Sequence, residues 1–162
     1  MRMRPAILLL AALAQPLTWP SLRAAEPPEL KVTVYVIWGT DSEPSDKEDP
    51  RKKLPKELEK YLEPLIKAAQ KKSLRLEAKP ETLTLSAAKP VKVKLPDKSE
   101  IDWTITTEHG KTVILQVLTR AKGEKTEVKL RDVDDKKAPR INVVSRAKET
   151  LLLVAQFEKS SK

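Results

Sequence analysis

The sequence has no cysteine, only three glycines and a single histidine among its 162 residues. Without cysteine, the chain has no disulfide framework, no thiolate metal site and no anchor on a lipid-modified cysteine. The glycines, Gly39, Gly110 and Gly123, are too few and too far apart for a phosphate-cradling loop. One imidazole does not make a zinc site of the usual kind, and no serine lies in a G-x-S-x-G motif. The sequence therefore predicts a protein that has no cofactor and is not an enzyme.

The chain begins with the three-part pattern of a signal peptide. Arg2 and Arg4 form a positive n-region, and residues 6–14 form an apolar run that is too short to cross a bilayer of about 30 Å. Small residues suited to signal peptidase follow, and we expect cleavage after Ala24 or Ala25. A cut at the end of the apolar run and an uncleaved anchor are the alternatives. Cleavage predicts an exported protein, periplasmic or extracellular, with no transmembrane segment.

The charge is positive but scattered. The formal net charge of +9 includes three arginines of the leader, Arg2, Arg4 and Arg23, so the remaining chain carries +6. Such a charge favours contact with an anionic surface or polymer, and solubility alone is the alternative. No aromatic residues interleave the basic strand positions, so we expect no specific nucleic-acid partner.

The sequence after the leader predicts one α+β domain. We expect the signal peptide over residues 1–25, a spacer over 26–30, the domain over 31–158 and a frayed tail over 159–162. The segment 31–40, KVTVYVIWGT, predicts a strand that is apolar on both faces. Such a strand must be covered on both sides, and a helix on one side would cover it.

One helix is predicted, over about residues 54–72, where apolar residues recur at helical spacing. Pro64 removes a backbone hydrogen bond and pushes against the carbonyl of Lys60. We therefore expect a kink or two short helices. The apolar stripe is interpreted as the cover of the first strand, with a partner-docking face as the alternative.

Residues 73–157 carry short segments in which apolar and polar residues alternate, separated by turn signals about every 8 to 12 residues. They predict roughly seven or eight antiparallel strands in a sandwich-like sheet. A hairpin over 100–120 turns at His109-Gly110. The lysine-rich strand 91–94 is an edge candidate. The last strand, 151–157, is apolar on both faces and predicted to be central, beside 111–119.

Candidate site residues are few. His109 is interpreted as a turn residue, with a catalytic histidine as the alternative. Oxygen ligands for a divalent cation are available in two loops, neither of which has the glycine of an EF-hand. The first is the acidic loop 41–49, and the second contains the weak metal candidates Asp132, Asp134 and Asp135. Solvated loops are the alternative at both places.

The large aromatic side chains are interpreted as core residues. Trp38 and Trp103 continue the apolar phase of their strands. An exposed tryptophan on a sheet would instead indicate a platform for carbohydrate or for a protein partner.

The order of elements resembles a group of small uncharacterised exported bacterial proteins that have a signal peptide, one helix and a β-rich C-terminal half. The matching residues are 49–54 (DPRKKL), the turn Leu95-Pro96-Asp97 and the closing strand 151–157. The resemblance covers residues 32–157 and implies this architecture. It implies no activity and no functional residue.

Three functions are weighed from these observations. The first is a non-catalytic binding or assembly module of the cell envelope with a protein partner, because export and an antiparallel fold with edges and loops suit such a role. The second is a hydrolase that uses carboxylates or His109. The third is an electrostatic binder of an acidic polymer, which requires lysines of different strands to converge on one face.

Overall fold

The computed structural model describes residues 29–42, 51–131 and 138–159. The predicted signal peptide, with its cleavage sites Ala24 and Ala25, lies outside these residues. The described chain is strand-rich with few helices. Its elements are β1 Leu30–Thr40, α1 Lys56–Glu59, α2 Leu62–Ala69, β2 Ser73–Leu76, β3 Glu81–Leu85, β4 Val91–Lys94, β5 Glu100–Glu108, β6 Lys111–Thr119, β7 Lys125–Arg131, β8 Arg140–Arg146 and β9 Thr150–Lys159.

The strands form two antiparallel sheets. One has the order β2-β1-β9-β8, and β3 also pairs with β1; the other has the order β4-β5-β6-β7. β2 and β3 lie end to end along one edge of β1, with β3 opposite residues 30–34 and β2 opposite residues 37–40. The prediction of a mainly antiparallel chain with few helices is confirmed.

Two apolar clusters fill the interior. The first lies between the two sheets and contains Val32 and Val34 of β1. The second lies between the helices and the five-stranded sheet and contains Tyr35 and Ile37. β1 is therefore covered on both faces, as its sequence predicts, because successive side chains of a strand point to opposite sides.

The predicted helix is two short helices, one of the two expected outcomes. The chain leaves the helical path at Lys60 and Tyr61, where Tyr61 has φ −110° and ψ 12°. Pro64 has no N–H to donate to the carbonyl of Lys60, which lies four residues earlier. As the third residue of α2, Pro64 needs no intrahelical acceptor. The last turn ends at Ala69, earlier than the predicted 72.

β9 lies in the centre of its sheet, paired with β1 and β8. The prediction that it lies beside residues 111–119 is wrong, since β6 belongs to the other sheet. The five-stranded sheet is packed on both faces, against the other sheet and against the helices, and the two strands that are apolar on both faces, β1 and β9, pair there. In the β1–β9 pair, Leu30 is opposite Lys159; Leu30 is the last residue of the predicted spacer and Lys159 the first of the predicted tail.

Candidate functional site

The most distinctive surface feature is a cleft where β2 gives way to β3. The last hydrogen bond beyond β2 joins the Glu77 N–H to the Val36 carbonyl at 2.9 Å. Residues 77–80 then leave the edge of β1, opposite Tyr35 and Val36. A cleft of about 440 Å³ opens there between the two sheets. It is lined by Val34, Val36, Glu77, Ala78, Lys79, Glu81, Val93, Lys94, Leu95 and Pro96.

The lining separates into an apolar floor and a charged rim. The floor consists of β1 and β4 side chains that continue the core between the sheets, and Leu95 is itself buried. The rim carries two carboxylates and two ammonium groups, from Glu77, Glu81, Lys79 and Lys94. An apolar centre inside a polar rim is the organisation of protein–protein interfaces.

The turn after β4 holds one wall of the cleft in place. Ser99 donates through its backbone N–H and its hydroxyl to the Asp97 carboxylate, at 3.0 and 2.9 Å. The Lys98 N–H donates to the Leu95 carbonyl at 3.0 Å, with Lys98 in the left-handed region at φ 68°. The turn predicted at Leu95-Pro96-Asp97 is confirmed, and it fixes Leu95 and Pro96 at the mouth of the cleft.

Trp38 lies next to the cleft, and its side chain is only half-buried. Its indole N–H donates to the Glu77 carboxylate on the rim. The Arg51 guanidinium lies 5.9 Å from the indole ring centroid and contacts both carboxylate oxygens of Glu149 at 3.1 Å. The core prediction holds in part for Trp38, which packs against the core between the sheets but stays half-buried, with its indole N–H bonded to a rim carboxylate. For Trp103 it is confirmed: the ring is fully buried and meets Phe157 edge to face.

β4 presents an open strand edge beside the cleft. Within the described residues it pairs with β5 alone, which confirms the predicted edge. The Leu95 N–H donates to the Ser99 carbonyl at 2.8 Å, continuing the β4–β5 ladder. In an antiparallel strand, the N–H and C=O groups of successive residues point alternately toward the partner strand and away from it. The backbone groups of Val91 and Val93 therefore also face β5, and those of Lys92 and Lys94 face outward.

His109 lies in the exposed turn between β5 and β6, with φ 50°, followed by Gly110 at φ 73°. These values match the turn interpretation, since Gly takes this region freely and His tolerates it. A shallow hollow of about 390 Å³ beside the turn is lined by Glu108, His109, Lys111, Thr112, Val113 and Arg131. Lys129, at 2.7 Å, and Arg131 beside it hold the pKa of the Glu108 carboxyl below its ordinary value. The geometry gives Glu108 an ion-pairing role.

Most of the predicted metal candidates lie outside the described residues. Asp132, Asp134 and Asp135 lie outside them, as do residues 43–49 of the acidic loop. Asp41 is described, and its carboxylate contacts Lys71 at 2.6 Å. Among residues 29–42, 51–131 and 138–159, no group of three or more His, Asp or Glu side chains could hold a metal ion.

Four basic strand residues of the described chain lie at the two edges of the four-stranded sheet. Lys92 and Lys94 lie on β4, and Lys129 and Arg131 lie on β7, at opposite edges of the four-stranded sheet. Lys92 contacts Glu100 at 3.0 Å, and Lys129 contacts Glu108. These four residues therefore do not form the shared basic face that binding of an acidic polymer requires.

Sequence reasoning missed the cleft. Lys79-Pro80 is one of the turn signals between the predicted strands of residues 73–157, yet the two strands that it separates lie on the same edge of β1. Comparison with known proteins adds no further lead: no family model, no curated protein and no solved structure matches this chain. In the part of the chain that the structure describes, neither helix has the length and apolar character needed to span a membrane.

Proposed function

We propose that this chain is an exported, non-catalytic binding module of the cell envelope, with a sandwich-like α+β fold, and that the cleft between β1 and β4 contacts its protein partner. The observation that carries the proposal is the cleft itself: an apolar floor that opens between the sheets inside a charged rim. Export rests on the leader pattern of the N-terminal sequence.

The rim supports recognition of a partner rather than chemistry on a substrate. Its Glu77 carboxylate is engaged by the Trp38 indole N–H. Its lysines, Lys79 and Lys94, are exposed and project from the edges of two different sheets. Groups so placed can orient a partner electrostatically while the floor supplies apolar contact.

The test is co-purification of the tagged full-length protein from the envelope fraction of its own cells, at low and moderate salt, with mass spectrometry of the retained proteins. The cleft variant is Val93→Gln, which places an amide on the floor. The matched control is Val128→Gln, at the opposite edge of the same sheet, where the valine is 40% exposed. Thermal unfolding of both variants establishes that they are folded.

The proposal expects a defined partner that survives moderate salt, is lost from Val93→Gln and is kept by Val128→Gln. Retention of that partner by both folded variants would contradict the assignment of the cleft. Recovery of the protein alone at both salt concentrations would contradict the binding module as a whole.

A further inference from the structure

We propose that the partner binds as an extended segment that adds a strand to the free edge of β4, with apolar side chains alternating with acidic ones. This inference rests on the proposed function and names the partner and its mode of binding. Three features of the structure lead to it: the free edge, the cleft beneath it and the lysines on its outer face.

The edge offers backbone groups in a regular pattern. The N–H and C=O of Lys92 and Lys94 face away from β5, as the hydrogen bond between Leu95 and Ser99 shows. An added strand would pair with these groups and continue the four-stranded sheet as a fifth member. Main-chain hydrogen bonds supply affinity in this kind of recognition, and alternate side chains supply specificity.

The cleft determines which side chains point inward. Val93 faces the core between the sheets, so residues of the added strand on that face enter the cleft. There they meet Val34, Val36 and Leu95, next to the rim carboxylates of Glu77 and Glu81. An apolar side chain fits this environment, whereas a buried carboxylate near two others is disfavoured.

The lysines determine which side chains point outward. Lys92 and Lys94 project from the outer face of β4, and Lys94 has no ion pair among the described residues. Carboxylates on the outward positions of the added strand would lie beside these ammonium groups. A second copy of this chain is disfavoured as the occupant, since its own β4 would bring lysines against lysines.

The probe is a dye-labelled, end-blocked heptapeptide of alternating glutamate and valine, with binding to the full chain followed by fluorescence anisotropy. A peptide of the same composition with its glutamates in one block and its valines in another is the reference. The alternating peptide is expected to bind about tenfold more tightly, since it alone can satisfy both faces. Equal affinities would overturn the inference, because charge alone would then account for binding.

The protein-side test uses Lys94→Pro and Lys94→Ala. Both remove the ammonium group, but only proline also removes the outward N–H, and proline is tolerated on the solvent side of an edge strand. Lys94→Pro is expected to bind the alternating peptide about tenfold more weakly than Lys94→Ala, the loss that removal of one hydrogen bond produces. Equal affinities of the two folded variants would overturn strand addition.

A second measurement leaves the protein unchanged, so a folding defect in a variant cannot decide the result. Methylation of alternate backbone nitrogens of the peptide, on the edge that would face β4, is expected to abolish binding, and methylation on the other edge is expected to leave it. Equal effects on both edges would contradict the pairing. If binding of the envelope partner depends on Val93 but the peptide fails these tests, the proposed function stands and strand addition is wrong. If the peptide passes these tests but no envelope partner depends on Val93, strand addition to β4 stands and the proposed function is wrong.

Discussion

Trp103 lies directly opposite Gln116 in the β5–β6 pair, and both side chains are buried in the core between the sheets. Neither Trp103 Nε1 nor Gln116 Oε1 has a hydrogen-bond partner among the described residues. A buried polar atom without a partner loses its hydration and gains nothing in return. The pair therefore marks a place where the interior is less stable than an apolar one would be.

Replacement of Gln116 tests that cost. Gln116→Met keeps the unbranched shape and removes the buried oxygen, and we expect the free energy of unfolding to rise by about 1 kcal/mol. Gln116→Glu is the control and should lower it, because a carboxylate would be buried without a partner. Urea unfolding of the three proteins measures both changes. A loss of stability in Gln116→Met would contradict the interpretation.

Gly39 of β1 lies close against the end of the second helix. A Cβ built at this position would lie 2.9 Å from Ala69 Cβ and 3.0 Å from Lys71 Cγ. Gly39→Ala is expected to lower the free energy of unfolding by about 1–3 kcal/mol, because the helix and strand must separate. A denaturation curve that coincides with that of the original protein would show that the helix and β1 move apart without loss of stability.

The double variant Gly39→Ala with Ala69→Gly separates the steric contact between the two positions from the backbone preferences of alanine and glycine at each. It removes the nearest clash but leaves the one with Lys71, so we expect the two changes together to cost less than the sum of the single changes. Strict additivity would place the cost of Gly39→Ala elsewhere than at Ala69.

The β5–β6 turn requires two successive left-handed residues, His109 and Gly110. Gly110→Ala is expected to lower the free energy of unfolding by about 1 kcal/mol, since a Cβ is unfavourable at this φ. His109→Asn should leave stability unchanged or raise it slightly, because Asn adopts the left-handed region readily. Thermal unfolding compares the two, and a larger loss from His109→Asn than from Gly110→Ala would contradict the turn assignment.

Glu108 gives a pH dependence with a defined sign. The Lys129 hydrogen bond and charge, with a contribution from Arg131, lower the pKa of Glu108 from its ordinary value of 4.5. The Glu108 carboxylate therefore stabilises the fold fully at pH values above its pKa in the unfolded chain. This stabilisation is lost as the pH falls through its lower pKa in the folded protein. Glu108→Gln should be less stable than the original protein at neutral pH, and the difference should vanish in acid.

The control for Glu108 is ionic strength. The carboxylate and its partners are partly exposed, so added salt should reduce the difference between the two proteins at neutral pH. A difference that persists unchanged in acid would show that the Gln side chain disturbs packing instead.

Strand periodicity was readable from the sequence because it depends on the chain alone. The apolar residues on both faces of the segments 31–40 and 151–157 predicted two strands buried on both sides, and Pro64 predicted an interrupted helix. The pairing of β9 was not readable, because a strand that is apolar on both faces fits the centre of either sheet. Its place was decided by which sheet the helices cover.

The cleft was beyond sequence reasoning for a related reason. Lys79-Pro80 indicates a turn, but not that the chain returns to the same edge of β1. β8 shows the same limit: the register shifts between Val143 and Ser145, so that Ser145 lies opposite Leu151. The alternation of Ile141 and Val143 gives no sign of it, since a bulge changes which side chains face inward without changing composition.

The sequence by itself determined the kind of elements and their turns, because alternation, proline and glycine act locally. It also determined the positive charge and the absence of any thiol. Only the tertiary structure decided that β1 and β9 share a sheet, that β4 pairs on one side alone within the described residues and that residues 34–36 and 93–96 form a cleft together. These contacts join residues far apart in the chain, and their energies depend on which surfaces remain to be covered once the sheets have formed.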